Sequence, residues 1–540
     1  MPIGCLYSIL HSMRAVSATL FAISLGVVPC IIAQVITSQY DNARTGANLR
    51  ETILTPKNVN ASQFGKLFTL HVDGDVYAQP LYLPAVQIPG RGVRNVAFVA
   101  TEHDTVYAFD ADGHVSTPLW ERSFLDAKAG IKTIPDRDVG CPFIAPEIGI
   151  TSTPAIDPSS GTLYVLARTK EWRGFFSSDE YVQKLHALDV ATGAEKLGGP
   201  VTIRASVDGK GAGSSKGKVA FDPLRENPRA ALLIANGNVY LTWASSCDVA
   251  PYHGWVMTYD ARTLTQTAVF NVSPNAEEGG IWLGDTGPAA DDRGNVFVPT
   301  GNGRFDAASG GRDFGDSILK LGPKLALLDW FTPFNQRELN SYDADLGSGG
   351  PVLLPDQPGG HPHQLVVAGK GGVLYVLDRD QMGKYHSGSD LHAVNSIPLG
   401  NVMAFGAPAY WNGHLYILVT DHGIEDFPLR RGVLSRSPAA RGEHAFIHPG
   451  ATPSISANGA KDGIVWAVEP KSWHSPDRAA AVHAYDALNV ATELYNSEQA
   501  GARDRAGISL HFTIPVVANG RVYAGAKREI DVYGLLTTSR

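Results

Sequence analysis

A short run of residues recurs along most of this chain: glycine, any residue, an apolar residue and then an aromatic one. Six copies fit fully, namely GTLY at residue 161, GNVY at 237, GNVF at 294, GHLY at 413, GIVW at 463 and GRVY at 520. Two looser copies, NVAF at 95 and QLVV at 364, complete the series. From Phe98 to Tyr523 the mean spacing is about 61 residues. A period of this size indicates an array of similar units that bury their cores against one another.

Further strand-like runs flank each copy. A run marked by proline precedes it, as in AQPLYLP, TSTPAID and GGPVLLP, and a run that tends to end in aspartate follows most copies, as in TVYAFD, KLHALD and WVMTYD. Runs of β-branched and aromatic residues between Gly, Pro, Asn and Asp are typical of strands. Three strands with an outer fourth make the blade of a propeller. We therefore predict an all-β fold, an eight-bladed β-propeller of four-stranded antiparallel blades.

The stretch GKLFTLHV, residues 65–72, lies ahead of the first blade. It can supply the outer strand of the eighth blade, so that the ring closes without an exposed sheet edge. We predict a single propeller domain over residues 34–540, closed by this N-terminal outer strand.

The N-terminal residues have the layout of a secretory signal peptide. The stretch MRAVSATLFAISLGVVPCIIAQ carries one arginine, an uncharged apolar run and small residues before Gln34. No later stretch approaches the roughly 20 apolar residues of a membrane span. The formal net charge of −8 argues against a nucleic-acid partner. We predict a signal peptide over residues 1–33 and a secreted or periplasmic protein without a membrane span.

Two of the four cysteines lie in the predicted signal peptide, which leaves Cys141 and Cys247. In an oxidising compartment such a pair favours an intrachain disulfide. Two buried free thiols are the alternative, because nothing in the sequence brings the two residues together.

The segments VYAFDADG at 106 and LHALDVATGAEKL at 185 resemble the blade ends of quinoprotein alcohol dehydrogenases. We identify a resemblance to the pyrroloquinoline quinone (PQQ) repeat superfamily of β-propellers that covers almost the whole chain after residue 33. It implies an exported quinoprotein-like propeller that binds PQQ and calcium and oxidises an alcohol or sugar hydroxyl. The superfamily also contains propellers without a cofactor, so a non-catalytic scaffold that holds a protein or a glycan is the alternative.

The resemblance assigns two residues to the cofactor. GGIWLG, residues 279–284, matches the Gly-rich turn whose tryptophan lies under PQQ, which places Trp282 there. Indole offers a wide apolar face to a planar quinone, and the flanking glycines allow a close approach. VVAGKGGVLYVLDRD is similar to the segment whose cation binds the quinone oxygens, which places Lys370 on PQQ. The alternatives are a tryptophan that packs between two blades and a lysine that faces solvent.

Two further residues match the calcium ligands of the family. VPTGNGRFD resembles the loop whose asparagine binds the ion, and this role falls to Asn302. SSCDVAPYHGWVMTYD resembles the segment with an acidic ligand, and this role falls to Asp248, although the family usually has glutamate there. Calcium takes oxygen ligands, so a carboxylate and an amide suit it. Asn-Gly is also a common turn, which is the alternative for Asn302.

NSYDADLGSGGPVLLPD aligns with the Asp-rich loop that supplies the general base of the family, so Asp343 or Asp345 takes that role. A carboxylate there accepts the hydroxyl proton while hydride passes to the quinone. Two solvated turn carboxylates are the alternative.

The chain departs from the family in three places. The adjacent cysteines that form a ring over the cofactor are missing, since Cys141 has no cysteine beside it. The glutamate of the first blade is replaced, with Tyr77 and Gln79 in its neighbourhood, so we expect a polar contact to be lost. No Cys-x-x-Cys-His is present, so we expect no fused haem domain and a separate electron acceptor.

Overall fold

The computed structural model describes residues 33–174, 178–471 and 478–537. The predicted signal peptide therefore lies outside the described residues except for Ala33, and the domain boundary at residue 33 stays a prediction. No helix among the described residues is long and apolar enough to cross a membrane.

Eight antiparallel sheets confirm the predicted eight-bladed propeller. Blades 1 to 4 consist of Leu81–Ile88, Gly92–Ala100, Thr105–Asp110, Trp120–Ser123; Ala155–Asp157, Thr162–Glu171, Glu180–Asp189, Val201–Thr202; Leu233–Ala235, Asn238–Trp243, Trp255–Asp260, Gln266–Asn271; and Ala289–Ala290, Val296–Pro299, Ile318–Leu321, Leu327–Phe331. Blades 5 to 8 consist of Val352–Leu353, Gln364–Ala368, Val373–Asp378, Asn395–Pro398; Ala409–Trp411, His414–Ile417, Glu425–Arg430, with Val433–Leu434 and Ala440–Arg441 outermost; Ser454–Asn458, Lys461–Glu469, Ala481–Asp486, Glu493–Asn496; and Val516–Ala518, Arg521–Ala526, Glu529–Leu535, Phe64–His71.

The ring closes as predicted. The strand Phe64–His71 pairs with Glu529–Leu535, so the N-terminal part of the chain supplies the outer strand of blade 8. The N-terminal and C-terminal parts of the chain are thereby joined in one sheet, and blade 8 has its outer strand.

The two repeated sequence features have a common structural cause. Some tyrosines of the repeat bond to the next blade: the hydroxyl of Tyr416 in blade 6 donates to the carbonyl of Ala487 in blade 7 at 2.6 Å. Tyr523 of blade 8 donates in the same way to Ala111 of blade 1 at 3.1 Å. Each acceptor follows the aspartate that ends a third strand, and that aspartate turns the chain by accepting a backbone N–H two residues on, as Asp110 does from Asp112.

A segment that the repeat does not announce, residues 35–48, runs inside the ring, and we call it the axial strap. Backbone hydrogen bonds join it to the first strands of blades 1, 2, 4, 5, 6 and 7, and side chains of Asn42 and Asn48 reach the first strands of blades 3 and 8. Arg44 in the strap is fully buried and donates to the carbonyl of Pro288 at 3.0 Å and to that of Ser38 at 2.6 Å. The strap therefore ties all eight blades together along the axis.

The remaining elements are short. The strands are Ala47–Asn48, Ile131–Lys132, Ile134–Pro135, Glu147–Ile148, Ser206–Asp208 and Lys218–Ala220, the α-helices Asp136–Val139 and Gln336–Ser341, and the 3-10 helices Leu283–Asp285, Ala307–Ser309, Pro323–Leu325, Leu346–Ser348 and Gly501–Arg503. The loop between blades 1 and 2 contains the hairpin of Ile134–Pro135 with Glu147–Ile148 and the helix between them, and we call residues 131–149 the cap loop.

Candidate functional site

A cavity of about 440 Å³ lies at one end of the ring, and all eight blades contribute to its wall. In an antiparallel blade the loop before the first strand and the loop after the second strand open at the same face. The residue three positions before the proline of the first strand lines the cavity in five blades: Tyr77, Thr151, Ser348, Phe405 and Phe512. A cavity of this volume falls within the range of small-molecule sites.

The structure brings the predicted site residues together here. Asp248 and Lys370 follow the second strands of blades 3 and 5, while Trp282, Asp343 and Asp345 precede the first strands of blades 4 and 5, and all five line the cavity. Asn302, which follows the second strand of blade 4, bonds directly to both Asp343 and Asp345. Six positions spread over more than a hundred residues therefore meet at one face, although their roles stay predictions.

Trp282 lies half-buried in the cavity wall, with its indole packed against two glycines. A Cβ atom at Gly301 would stand 2.7 Å from its indole nitrogen and one at Gly280 would stand 3.0 Å away, so neither position accepts a side chain without a shift. The ring meets Tyr252 edge-on at 6.3 Å and has the Arg229 guanidinium at 6.0 Å. The close packing under the indole thus depends on Gly280 of the GGIWLG turn and on Gly301 of the neighbouring loop.

Lys370 joins the two aspartates. Its ammonium lies 2.6 Å from Asp345 Oδ2 and 3.0 Å from Asp343 Oδ1. The backbone N–H of Asn302 donates to Asp345 Oδ1 at 2.7 Å, and its side-chain amide donates to Asp343 Oδ1 at 2.7 Å. The two carboxyl groups differ in exposure, since the side chain of Asp343 is 66% exposed and that of Asp345 is 3% exposed.

Burial and charge act in opposite directions on this group. Burial raises the pKa of Asp345 above its ordinary value, against the stabilising effect of Lys370 on the carboxylate. Burial lowers the pKa of Lys370, but the charges of Asp345 and Asp343 outweigh it, so the pKa is raised and the ammonium form is favoured. Lys370 therefore presents a fixed positive charge to the cavity.

Asp248 lies in the loop that follows the second strand of blade 3. The hydroxyl of Tyr252 donates to its Oδ1 at 2.6 Å, and burial raises its pKa. The residue before it, Cys247, forms a disulfide with Cys141, with the Cα atoms 5.6 Å apart. The loop that carries Asp248 is thus covalently held to the cap loop.

The disulfide belongs to the cavity wall. Cys141, Phe143, Ile144 and Ile148 of the cap loop line the cavity together with Cys247. The structure joins the two cysteines that remain after the predicted signal peptide, so the alternative of two free thiols is not what it shows. The adjacent-cysteine ring is missing, as the sequence indicated, and a disulfide between distant residues lies against the cavity instead.

Several buried polar atoms around the cavity lack a hydrogen-bond partner within the described residues. Among them are Thr151 Oγ1, Ser245 Oγ, Ser246 Oγ, Trp282 Nε1 and Asn302 Oδ1. Buried polar groups are hydrogen-bonded in the great majority of cases, and an orphaned cluster calls for an explanation such as an ion or a ligand. The donors and acceptors here suit a polar planar molecule beside a cation.

Sequence reasoning missed the basic side of the cavity. Arg229, His448 and His511 line it, and the Arg229 guanidinium lies 4.6 Å from the ring of Phe512. Burial, aided by Arg229 and His448, lowers the pKa of His511 to about 3, so its imidazole is neutral. The register of the repeat could have found this side, because His448 and His511 lie four or five residues before the proline of a first strand.

The replaced position in blade 1 has a structural consequence. Tyr77 lines the cavity and its hydroxyl donates to the carbonyl of Phe143 in the cap loop at 3.1 Å. Gln79 is buried and its Oε1 accepts the backbone N–H of Gln39 in the axial strap at 3.1 Å. These two side chains hold the cap loop and the strap.

Solved structures share this architecture. A comparison with protein-family models gives no match, and neither does a comparison with curated proteins. The chain is similar to the quinohemoprotein alcohol dehydrogenase from Comamonas testosteroni, with a TM-score of 0.58, 14% identity, and coverage of 93% of this chain and 80% of that one. A europium-containing methanol dehydrogenase matches with a TM-score of 0.56 and 13% identity, over 93% of this chain and 98% of that one. BamB from Moraxella catarrhalis matches with a TM-score of 0.50 and 12% identity, over 87% of this chain and 99% of that one. The chain has the fold of the quinoprotein propellers, and identities this low extend to the fold alone.

Proposed function

We propose that this protein binds PQQ and a divalent cation in the cavity and oxidises the hydroxyl of an alcohol or a sugar. The observation that carries the proposal is the meeting of Asp248, Trp282, Asn302, Asp343, Asp345 and Lys370 around one cavity that also holds orphaned buried polar atoms. The two dehydrogenases among the similar structures support the same chemistry at the level of the fold.

The residues fit the two groups. Trp282 would lie against the PQQ ring, with Lys370 at the quinone oxygens. Asn302 Oδ1, which is buried and has no partner among the described residues, and the carboxylate of Asp248 would hold Ca²⁺. When bound, PQQ supplies the hydride acceptor, and the cation polarises it.

The two aspartates differ in how their carboxylate oxygens are bonded. Both oxygens of Asp345 are engaged, one by Asn302 and one by Lys370, so this residue positions those two groups. Asp343 uses Oδ1 for the same partners, and within the described part of the chain its Oδ2 has none. Asp343 would therefore accept the substrate hydroxyl proton. Electrons would leave to a separate acceptor, and we propose that the protein acts after export.

The first test is binding of PQQ. Purified protein is titrated with PQQ with and without Ca²⁺ while tryptophan fluorescence is followed, and Eu³⁺ is a second cation because one similar enzyme contains it. Saturable, cation-dependent quenching that Trp282→Ala abolishes supports the proposal. Trp172→Phe is the matched control, because Trp172 is exposed and lies outside the cavity wall. Absence of binding at high micromolar PQQ contradicts the proposal and favours a scaffold role.

The second test separates the aspartates. With PQQ, Ca²⁺ and an artificial electron acceptor, alcohols and sugars are screened for turnover. Asp343→Asn should abolish turnover and leave PQQ affinity nearly unchanged, whereas Asp345→Asn should weaken PQQ binding itself because Lys370 and Asn302 lose their anchor. Full turnover in Asp343→Asn would contradict its assignment as the base.

A further inference from the structure

Blade 7 contains a cluster of metal-ligating side chains away from the cavity. The ligand atoms of His444, Glu469 and His483 all lie within 4.8 Å of one another. Both histidines present Nε2 to the same carboxylate oxygen, since Glu469 Oε2 lies 3.1 Å from that of His444 and 3.6 Å from that of His483. We propose that these three residues form a binding site for a divalent transition metal, with Zn²⁺ the ion that suits them best.

The distances agree with tetrahedral coordination. Zinc bonds of roughly 2.0 to 2.2 Å to nitrogen and oxygen at tetrahedral angles put neighbouring ligand atoms about 3.3 Å apart. The observed 3.1 and 3.6 Å lie on either side of that value. Two imidazoles and one carboxylate leave a fourth position for water or a substrate group. The side chain of His444 is 37% exposed, which leaves the cluster accessible from solvent.

The surroundings of His483 support a ligand at this place. Its side chain is 2% exposed, and its Nε2 faces Glu469 Oε2 at 3.6 Å, which is longer than an ordinary hydrogen bond. The other ring nitrogen, Nδ1, is held at 2.7 Å by Glu493 Oε1, whose second oxygen accepts from Asn496 at 3.0 Å. A carboxylate that fixes one nitrogen of a histidine while the other faces the ion is the usual outer support of a metal site.

Lys471 is a cation near the site. Its ammonium lies 3.8 Å from Glu469 Oε2 and is ion-paired with Glu498. The pairing with Glu498 gives the lysine a second anion, so that Glu469 is left to the metal.

Blade 2 shows what the same position looks like without a site. His186 occupies the place of His483 in the third strand and pairs with Glu195 as His483 pairs with Glu493. Phe124 stacks on His186 where His444 stacks on His483, with similar angles between the rings. In blade 2, His186 is opposite Val165, and Ala167 lies two residues further along that strand. In blade 7, His483 is opposite Ala467, and Glu469 lies two residues further along. Blade 7 thus replaces a phenylalanine and an alanine by two ligands.

The site would also join two blades. His444 follows the outer strands of blade 6, whereas Glu469 and His483 belong to blade 7. Four residues after His444 the same loop contributes His448 to the cavity wall. A metal ion would therefore fix the loop that delivers His448.

The experiment measures metal binding by untagged protein that has been stripped with a chelator. Zn²⁺ is titrated against a chromophoric chelator, and Co²⁺ reports the geometry by visible absorption. We expect one equivalent of Zn²⁺ and the intense Co²⁺ bands of a tetrahedral site, both unaffected by excess Ca²⁺ or by Trp282→Ala. Glu493→Gln should weaken Zn²⁺ binding by roughly 10- to 100-fold, and Glu469→Gln by more.

The decisive variant is His444→Phe, because Phe124 holds the corresponding position against His186 of blade 2. It should abolish the bound equivalent and the rise in melting temperature that Zn²⁺ causes. His186→Ala is the matched control and should bind Zn²⁺ as the unmodified protein does. Absence of Zn²⁺ binding at micromolar concentration, or binding that survives in both His444→Phe and Glu469→Gln, would overturn the inference. Neither outcome bears on PQQ binding in the cavity.

Discussion

The disulfide between Cys141 and Cys247 offers a quantitative test of how the cap loop is held. The two residues are 106 positions apart, so the bridge closes a long loop in the unfolded chain. The chain-entropy relation gives about 4.8 kcal/mol at 25 °C for a loop of this length. Besides the disulfide, the cap loop rests on a small cluster of buried residues, Ile134, Val139 and Ile148. We therefore expect Cys141→Ser/Cys247→Ser to lower the free energy of unfolding by about 2 to 5 kcal/mol.

The assay is denaturant unfolding of the double variant and of the unmodified protein, with intact mass after alkylation in denaturant as the chemical control. In protein produced from residue 34 onward, which contains only Cys141 and Cys247, neither cysteine should be alkylated without reductant and both should be alkylated after reduction. Reduced unmodified protein should match the double variant. A loss of stability below about 1 kcal/mol would refute the loop-closure reasoning, and alkylation of both thiols without reductant would refute the disulfide itself.

Three further predictions follow from single contacts. Gly301→Ala should weaken PQQ binding at least tenfold, because its Cβ would stand 2.2 Å from Asp345 Oδ1, whereas Gly360→Ala in open space should not. Tyr416→Phe should lower the free energy of unfolding by about 1 to 3 kcal/mol, because the buried carbonyl of Ala487 loses its donor, and the exposed Tyr342→Phe should leave it unchanged. Burial raises the pKa of Glu102 to about 8, so the folded protein keeps a proton that the unfolded chain releases, and stability falls as the pH rises from 5 to 8. Glu102→Gln should remove the contribution of Glu102 to the change of the free energy of unfolding with pH, which is at most about 1.4 kcal/mol per pH unit. Denaturation midpoints of the two proteins that differ by the same amount at every pH from 5 to 8 would contradict this prediction.

The parts of the fold that repeat could be predicted from the sequence. The aromatic residue of the repeat and the aspartate that ends the third strand recur because they serve the same places in successive blades, where some of the tyrosines bond to the next blade, as Tyr416 does to Ala487. The closing strand Phe64–His71 followed from the same count of strands. The axial strap and the cap loop could not be predicted in this way, because each occurs once and its contacts are with residues distant in sequence, as those of Arg44 with Pro288 are.

The candidate site was predicted where it departs from the repeat. Trp282, Asn302 and Lys370 lie in Gly-rich turns that match a known pattern, and the structure brings them to one face. Arg229 was missed because a lone basic residue in a loop has no motif of its own, and His511 was missed because only its position in the register of the repeat marks it. The choice between Asp343 and Asp345 was also beyond the sequence, because it depends on which carboxylate oxygen retains no partner after folding.

A ring of repeats gives each function a comparison within the same molecule. The strands of the blades pair in the same order, so side chains at equal register can be compared from blade to blade. The third-strand histidine illustrates this: in blade 2 it packs under Phe124, and in blade 7 under His444, with an added carboxylate within reach. The positions before the first-strand prolines follow the same logic, since they line the cavity with side chains as different as Tyr77, Thr151 and Ser348. Comparison of blades at equal register therefore locates both the cavity and the proposed metal site without reference to any other protein.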